Sequence, residues 1–465
     1  MSEPMTGANR RRSDRVQLSR FGPVEVLAVL LPVLTVAALA LVRPAADPPS
    51  LLPATEVALA RTTLVCPSAV AGTGTGTGTG TVELAHADGV SGELTVRLPA
   101  DDVQAIDGTV RTRLEPAYVA QAEGELAAGL VGSRYGDGAA TACGAPQPEQ
   151  WFTGVGAAAE HSSTLELVNP DAGPAVADVS VLGPDGPLEV PALRGVTVPG
   201  GRTLRFDLSE VVPSRDELAL QVLVSRGRLG VHVVDEVDEV GGGVSSRDWL
   251  PAQAAPDTSA DLLGLGGKQG ERTLVVANPG DSEARVSLEV ITKESQFAPA
   301  DVEEIRVAPR STRTVDLTEL LADRTTRGAT GLRLDATTPV TAGLRTVAAG
   351  DLSHAVAGVH IESRTALSMP RGPSRLVLGG ADAVGVATYT VSDERGREIA
   401  RERVELIAGV GLRIKLPTDG ALLDLVVDRT SVVAAVEVGP PGLAVLPLTE
   451  LVVAARVPDV RPALR

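Results

Sequence analysis

Two short runs, Leu165-Glu-Leu-Val-Asn169-Pro170 and Leu274-Val-Val-Ala-Asn278-Pro279, lie 109 residues apart and decide the fold that the sequence predicts. At the same offset, and without a gap, Val198 to Leu208 matches Val307 to Leu317. Self-similarity at a fixed period indicates that the chain repeats one structural unit.

A third copy of the unit is fainter at its beginning, Leu376-Val-Leu-Gly-Gly380, and clearer at its end. There Leu425 to Thr430 parallels Leu332 to Thr337, and Val433 to Val438 follows Val340 to Arg345. We therefore expect three related repeats of about 100 residues each.

The repeats have the residue pattern of strands. Short alternating apolar and polar runs, such as Val176 to Leu182 and Leu218 to Val224, are separated by Asn-Pro, Pro-Asp-Gly and Pro-Gly-Gly turns. Alternation with a period of two is typical of half-buried strands, and regularly spaced turns are typical of β-sandwiches. We predict a mainly β fold, in which an N-terminal transmembrane helix is followed by tandem immunoglobulin-like β-sandwich domains.

The start of the chain has the pattern of a membrane anchor. Five arginines come first: Arg10, Arg11, Arg12, Arg15 and Arg20. An almost uncharged apolar stretch from Phe21 to Val42 follows, and its length suits a hydrocarbon core of roughly 30 Å. The arginines favour a cytoplasmic N terminus. We expect a single-pass protein of the cell membrane whose bulk is extracytoplasmic; a cleaved signal peptide is the alternative, and it also exports the bulk of the chain.

The charge of the chain restricts its partners. The formal net charge is −17, and the first twenty residues carry +3, so the remaining residues carry −20. A surface this acidic repels nucleic acid and anionic lipid head groups. We therefore expect no nucleic-acid partner, and contact with the membrane only through the N-terminal helix.

These features divide the chain into seven segments. They are a cytoplasmic basic tail (1–20), a transmembrane anchor (21–43), a Pro-rich linker (44–60), a disulfide-containing first exported domain (61–150), and three β-sandwich repeats (151–250, 251–365 and 366–465, the last with a C-terminal tail). An exported part of this length is too long for one small hydrophobic core.

The cysteines, Cys66 and Cys143, both follow the predicted anchor, where the compartment is oxidising. We predict that they form a disulfide, which stabilises the first exported domain by roughly 4 kcal/mol on the chain-entropy model. Two free buried thiols are the alternative. Metal binding is not expected, because neither cysteine belongs to a Cys-x-x-Cys pair.

The junctions between domains are the candidate interaction sites. Trp151-Phe152 opens the first repeat and Trp249-Leu250-Pro251 follows it, while Ser368-Met369-Pro370 and Val445-Leu446-Pro447 follow the next two. Burial of a tryptophan removes a large apolar area from water. We predict that Trp151, Phe152, Trp249 and Leu250 contribute to an interface; chance occurrence among the 33 prolines is the alternative.

Two acidic features have both a functional and a structural interpretation. Asp207 and Asp316 recur once per repeat, just after a strand, so a turn or a short helix cap is favoured over paired catalytic carboxylates. Asp235, Glu236, Asp238 and Glu239 form a dense cluster. Because its spacing lacks a known calcium-loop pattern, a solvated charge run is favoured over a metal site.

The chain has no sequence pattern that indicates catalysis. It lacks the Gly-x-Ser-x-Gly elbow, the His-Glu-x-x-His and Ser-x-x-Lys motifs, and the dinucleotide fingerprint. The five histidines are scattered: His86, His161, His232, His354 and His360. We therefore predict no catalytic residues, no cofactor and no metal. An enzyme would need distant residues brought together, such as the acidic cluster with His232 or His161.

Several features together resemble a known family. They are the N-terminal anchor, the Leu64-Val65-Cys66-Pro67 run, the second cysteine, the Trp-led junctions and the Asn-Pro repeats. In this combination the chain is similar to an uncharacterised family of membrane-anchored, exported proteins of high-GC Gram-positive bacteria. The resemblance implies an unknown function and genes near those of cell-envelope glycosyltransferases. It implies no catalytic residues.

We expect a non-catalytic protein of the cell envelope, in which a rod of sandwich domains serves as a scaffold or accessory partner for another envelope protein. Exposed strand edges and loops suit that role. The alternative is an envelope glycan-binding module. Aromatic content of 2% argues against it, unless Trp151 and Trp249 are exposed in a common groove.

Overall fold

The computed structural model describes residues 23–42, 55–70, 80–136, 138–212, 215–238, 245–266, 270–300, 302–439 and 443–457. The predicted basic tail (1–20) and most of the predicted linker (44–54) lie outside the described residues. Helix α1 spans Pro23–Val42, within the predicted anchor. In the described part of the chain, no helix is long and apolar enough to cross a membrane. The predicted transmembrane span is therefore not confirmed.

Strands β1 (Thr55–Ala58) and β35 (Ala454–Val457) pair with each other near the two ends of the described chain. The strands between them form four modules of about the same size, all within the compact part Val57–Ala455. Module 1 contains β2 (Arg61–Cys66), β3 (Gly80–His86), β4 (Gly92–Leu98), β5 (Asp102–Ile106), β6 (Val110–Leu114), β7 (Tyr118–Glu123), β8 (Leu130–Gly136) and β9 (Ala139–Cys143).

The next two modules each add a short helix. Module 2 contains β10 (Glu149–Ala157), β11 (His161–Val168), β12 (Ala175–Gly183), β13 (Gly186–Leu188), β14 (Val196–Val198), β15 (Thr203–Asp207), α2 (Leu208–Val211), β16 (Arg215–Arg226), β17 (Gly230–Val237) and β18 (Ser246–Leu250). Module 3 contains β19 (Asp257–Leu263), β20 (Glu271–Asn278), β21 (Ala284–Ile291), β22 (Gln296–Phe297), β23 (Ile305–Val307), β24 (Ser311–Asp316), α3 (Thr318–Ala322), β25 (Gly331–Val347) and β26 (Leu352–Val356).

Module 4 returns to eight strands. They are β27 (Arg364–Ser368), β28 (Ser374–Gly379), β29 (Gly385–Ser392), β30 (Glu398–Leu406), β31 (Leu412–Lys415), β32 (Leu422–Asp428), β33 (Val433–Val438) and β34 (Ala444–Pro447). The fold is thus mainly β, as the alternating pattern predicts. In β29, for example, every second residue is buried, because successive side chains of a strand point to opposite faces.

All four modules share one strand order. Module 1 has the sheets β2-β7-β4-β5 and β6-β3-β8-β9, and module 4 repeats them as β27-β32-β29-β30 and β31-β28-β33-β34. Module 2 follows the same order, with β13 and β14 in the place of one edge strand. In module 3 the seventeen-residue β25 serves both sheets. The sequence predicts three related repeats, and the structure extends the kinship to module 1, which covers most of the predicted first domain (61–150).

The predicted immunoglobulin-like strand order is not supported. In an immunoglobulin domain the first two strands are neighbours in one sheet. Here β2 and β3 of module 1 lie in different sheets, and so do β27 and β28 of module 4. The sheets of each module nevertheless share one apolar core.

The modules form a closed ring and not the rod that tandem domains suggest. Their last strands, β9, β18, β26 and β34, contact one another in cyclic order. Each first strand packs on the next module: β2 on β11, where Val65 packs with Val168, β10 on β20 and β25, β19 on β28 and β33, and β27 on β3 and β8. At one such contact a Cβ on Gly343 would lie 2.4 Å from the carbonyl oxygen of Thr153, so only glycine permits this approach.

The repeated asparagines hold the chain where it leaves the second strand of their modules. Asn169 is buried; its Nδ2 donates hydrogen bonds to the carbonyls of Gly173 and Val198, and its Oδ1 accepts one from the Asp171 amide. Asn278 makes the corresponding bonds in module 3. Since buried backbone groups need partners, this explains why the Asn-Pro run recurs.

The predicted disulfide between Cys66 and Cys143 is present. It joins β2 to β9, which belong to opposite sheets of module 1. Both residues are buried in the core of the module.

Candidate functional site

The four residues predicted to form an interface are all buried. Trp151 packs with Leu182 and Ala219 of its own module and with Ala277 of module 3. Trp249 packs with Val70 and Ala139 of module 1. Each tryptophan therefore lies at a different boundary between modules, and neither is exposed: their accessible fractions are 3% and 2%.

Phe152 and Leu250 lie elsewhere. Both belong to the apolar core of module 2, with accessible fractions of 1% and 2%. Alternation along β10 and β18 explains the difference, because adjacent residues point to opposite faces of a strand. The Trp-led junctions thus hold the ring together internally, and they do not form a common aromatic surface.

A polar cluster is buried between modules 2 and 3. His161 Nε2 lies 3.0 Å from Asp235 Oδ1, and Ser163 Oγ donates to the same carboxylate at 2.5 Å. From module 3, Arg345 donates to His161 Nδ1 at 2.7 Å and to Glu217 Oε1 at 2.8 Å. We call these five residues the inter-module cluster.

The electrostatics of the cluster follow from its burial. Burial lowers the pKa of His161, but the Asp235 carboxylate beside it outweighs that effect and raises the pKa above its ordinary value. In the tautomer with its proton on Nε2, His161 donates to Asp235 and its Nδ1 accepts the hydrogen bond from Arg345. Burial also raises the pKa of Asp235, but the charge and the hydrogen bond of His161 outweigh this effect and leave the pKa below its ordinary value.

Burial shifts the pKa values of two nearby groups toward their neutral forms. The pKa of His354, whose Nε2 lies 3.4 Å from Asp235 Oδ2, falls to about 4, because desolvation outweighs the attraction of the carboxylate. Burial raises the pKa of Asp248 well above its usual range, and the charges of Asp351 and Asp235 act in the same direction. The inter-module cluster is thus a buried network that joins two modules.

The acidic cluster of β17 is not the solvated charge run that its sequence suggests. Asp235 is fully buried in the inter-module cluster. Glu236 is half-buried and pairs with Arg247, whereas Asp238 is exposed. Glu239 lies outside the described residues. Within the residues that the structure describes, no group of three His, Cys, Asp or Glu side chains could hold a metal ion.

The polar arrangements around His161 and His360 each contain a serine, and neither has the geometry of a nucleophile and its base. Ser163 and His161 both bond to Asp235, so the serine hydroxyl is directed to the carboxylate and not to the imidazole. Ser431 lies 2.9 Å from His360 Nδ1, but its hydroxyl donates its one proton to Asp382. Asp235 is 74 residues from His161 and Ser431 is 71 residues from His360, so only the fold brings them together.

Asp207 and Asp316 have the structural role that their recurrence predicts. Asp207 Oδ1 accepts a hydrogen bond from the Ser209 amide at the start of α2. Asp316 Oδ1 accepts one from the Thr318 amide, and hydrogen bonds from the side chain and then the amide of Thr318 lower the pKa of the carboxyl. Both are exposed turn and cap residues.

A polar cleft of about 480 Å³ lies between modules 1 and 4. Its charges are paired within the protein. Arg364 bonds to Asp424 and Asp88, and Asp393 pairs with Arg397. The cleft therefore offers no strong excess charge to a ligand.

A larger groove, of about 1290 Å³, opens in module 3 beside β22, β23, β24 and α3. We call it the module 3 groove. Half-buried apolar side chains line it: Phe297, Val302, Val315 and Leu320. Carboxylates surround them: Glu303, Glu304, Asp316, Glu319 and Asp323. The sequence alone does not indicate this groove, because its apolar residues have the pattern of ordinary strand and helix positions.

Known proteins provide little further information. One solved structure, that of E. coli alpha-2-macroglobulin in its native conformation, is 14% identical in sequence, over 88% of this chain and 30% of that chain. Its TM-score is 0.12, which carries no argument about the fold. No curated protein matches the chain significantly. A family model does match, over residues 95–417, and its description is a family of unknown function, DUF5719. Because the match covers more than half of the sequence, the chain belongs to the DUF5719 family of unknown function.

Proposed function

We propose that the chain is a non-catalytic, extracytoplasmic protein of the cell envelope that serves as a scaffold or accessory partner for another envelope protein. The observation that carries this proposal is the module 3 groove, where apolar side chains are surrounded by charged ones. An apolar centre with a polar rim is the usual anatomy of a protein–protein interface.

The disulfide supports the extracytoplasmic part of the proposal. Disulfides persist in oxidising compartments and are rare in the cytosol. The bond between Cys66 and Cys143 lies in a module core and links two sheets, so the first module depends on an oxidising environment for its full stability.

The burial of both tryptophans favours a protein partner over the glycan-binding alternative. An aromatic platform that binds a sugar needs an exposed ring face. The rings of Trp151 and Trp249 are instead buried at separate module boundaries. The charged groups of the inter-module cluster are likewise occupied by one another. Because these charged groups already bond to one another, they are unsuited to catalysis on an external substrate.

Photocrosslinking in intact cells tests the proposal. A photoreactive residue replaces the exposed Thr325 at the groove of the full chain, and a control replaces the exposed Glu189 in module 2. We expect the groove probe to capture one envelope protein in stoichiometric amounts and the control probe not to capture it. Capture of polysaccharide alone, or the same capture by both probes, contradicts the proposal.

Cell fractionation tests the location. We propose that residues 21–43 attach the chain to the membrane, so the full chain is expected in the membrane pellet after a high-salt wash. Protease added outside cells stripped of their wall should degrade the four modules. A chain that is protected from the protease in intact cells, and cut only after lysis, contradicts the extracytoplasmic assignment.

A further inference from the structure

We infer that the module 3 groove binds a basic, amphipathic segment of its partner protein. The inference rests on the proposed function only in taking the partner to be a protein. It adds the place where the partner binds and the chemistry of the segment that binds there.

The groove exists because module 3 lacks residues that close the same place in module 2. At the offset of 109 residues, Val302 stands where module 2 has Leu193, and Val315 stands where it has Phe206. Leu193 lies in a 3₁₀ turn and is fully buried in the module core. Val302, by contrast, is half-buried. Two smaller side chains therefore leave the edge of the core open.

The exposed floor requires an apolar occupant. Phe297, Val302, Val315 and Leu320 pack against the core of module 3 on one side and line the groove on the other. Removing their exposed surface from water is favourable in proportion to the area covered. An occupant with two or three apolar side chains on one face, spaced as on a helix, would cover it.

The rim requires a basic occupant. Five carboxylates line the groove against two guanidinium groups, those of Arg306 and Arg313. Arg306 lies 3.7 Å from Glu304, so it offsets part of this charge only. The excess of three negative charges attracts lysine and arginine side chains and disfavours acidic partners. A second copy of this chain, with its net charge of −17, is disfavoured for the same reason.

Fluorescence anisotropy with a designed probe tests the inference. The probe is a labelled 16-residue peptide of Leu, Lys and Ala, with Leu at helical spacing on one face and Lys beside it. The full chain is held in nanodiscs of zwitterionic lipid, which do not attract the peptide by charge. We expect binding that weakens with salt, and a loss of roughly tenfold or more when the peptide leucines become serine or its lysines become glutamate.

Variants of the chain locate the binding site. The double variant Val302→Leu with Val315→Phe restores the residues of module 2 and fills the groove without changing its charge; we expect it to lose binding at least tenfold. Glu303→Gln with Glu319→Gln should weaken binding to a similar extent at low salt. The matched controls are Glu210→Gln and Val211→Ala, the positions of module 2 that correspond to Glu319 and Leu320, and these should bind the peptide as the wild type does.

Two results would overturn the inference: binding of the serine peptide as tight as that of the leucine peptide, or unchanged binding by both groove variants. If the filled variant does not fold, two other measurements test the binding site. They are peptide binding by the charge variant and the protection of residues 318–322 from hydrogen exchange when the peptide is added. An absence of protection there contradicts binding in the groove. Capture of an envelope protein by a chain whose groove is filled would overturn this inference alone and leave the proposed function standing.

Discussion

Arg345 of module 3 donates a hydrogen bond of 2.7 Å to Nδ1 of His161 in module 2, and the same guanidinium reaches Glu217 Oε1 at 2.8 Å. One side chain thus satisfies two polar groups across a module boundary that is closed to water. The same His161 imidazole lies 3.0 Å from Asp235 Oδ1, so it links Arg345 to that carboxylate. We expect the stability of the boundary to depend on Arg345 more than on an exposed ion pair, because buried charged groups that lose a partner cannot form hydrogen bonds to water instead.

Replacing Arg345 by methionine should destabilise the protein by roughly 3 kcal/mol, since the largely buried Glu217 loses its ion pair and His161 loses its hydrogen-bond donor. Denaturant unfolding followed by circular dichroism measures the change. Arg324→Met is the matched control: Arg324 is exposed, so its loss should cost less than about 0.5 kcal/mol. Equal effects of the two variants would show that the cluster does not stabilise the boundary.

His354 should make the fold sensitive to acid. Its pKa is about 4 in the folded state, below the ordinary 6.5, so between these values the unfolded state binds the extra proton. His354 therefore makes its full contribution to the free energy of unfolding above pH 6.5. This contribution is lost as the pH falls to about 4, and the change is roughly 3 kcal/mol. Unfolding at several pH values measures it. His354→Gln should flatten the profile in this window, and an unchanged profile would contradict the assignment.

The sequence carried enough information to find the repeats but not to find all of them. Asn169 and Asn278 recur because each satisfies several buried backbone groups that no other residue type serves as well. Module 1 lacks the asparagine. There the last residue of the second strand is His86, whose Nδ1 accepts hydrogen bonds from the amides of Asp88 and Val90. A different residue performs a similar role, so comparison of residue types does not detect the kinship.

The ring and its polar sites could not be predicted from local pattern. His161, Glu217 and Arg345 are separated by many residues, and nothing near any one of them indicates the others. The same holds for the module 3 groove, which depends on two side chains being smaller than their counterparts in module 2. Alternation predicts which face of a strand is buried; it does not predict which module covers that face.

The recurring asparagine gives a direct test of the turn. Asn278→Ala removes the donor that satisfies the carbonyls of Ser282 and Val307, and the acceptor of the Gly280 amide. Leaving such buried groups without partners should cost roughly 3 kcal/mol in the free energy of unfolding. Ser282→Ala is the control, because its carbonyl and not its side chain takes part. If Asn278→Ala costs no more than this control, the asparagine does not hold the turn.

The closed ring should unfold as one cooperative unit. Trp151 reports on the boundary of modules 2 and 3, and Trp249 on the boundary of modules 1 and 2, so Trp249→Phe and Trp151→Phe each leave one tryptophan as the probe of a single boundary. Because every module packs its first strand on its neighbour, loss of one boundary exposes apolar surface at the next. In each variant the fluorescence transition should therefore coincide with the circular dichroism transition of all four modules. A fluorescence midpoint well below the circular dichroism midpoint in either variant would show that the ring opens at that boundary before the modules unfold.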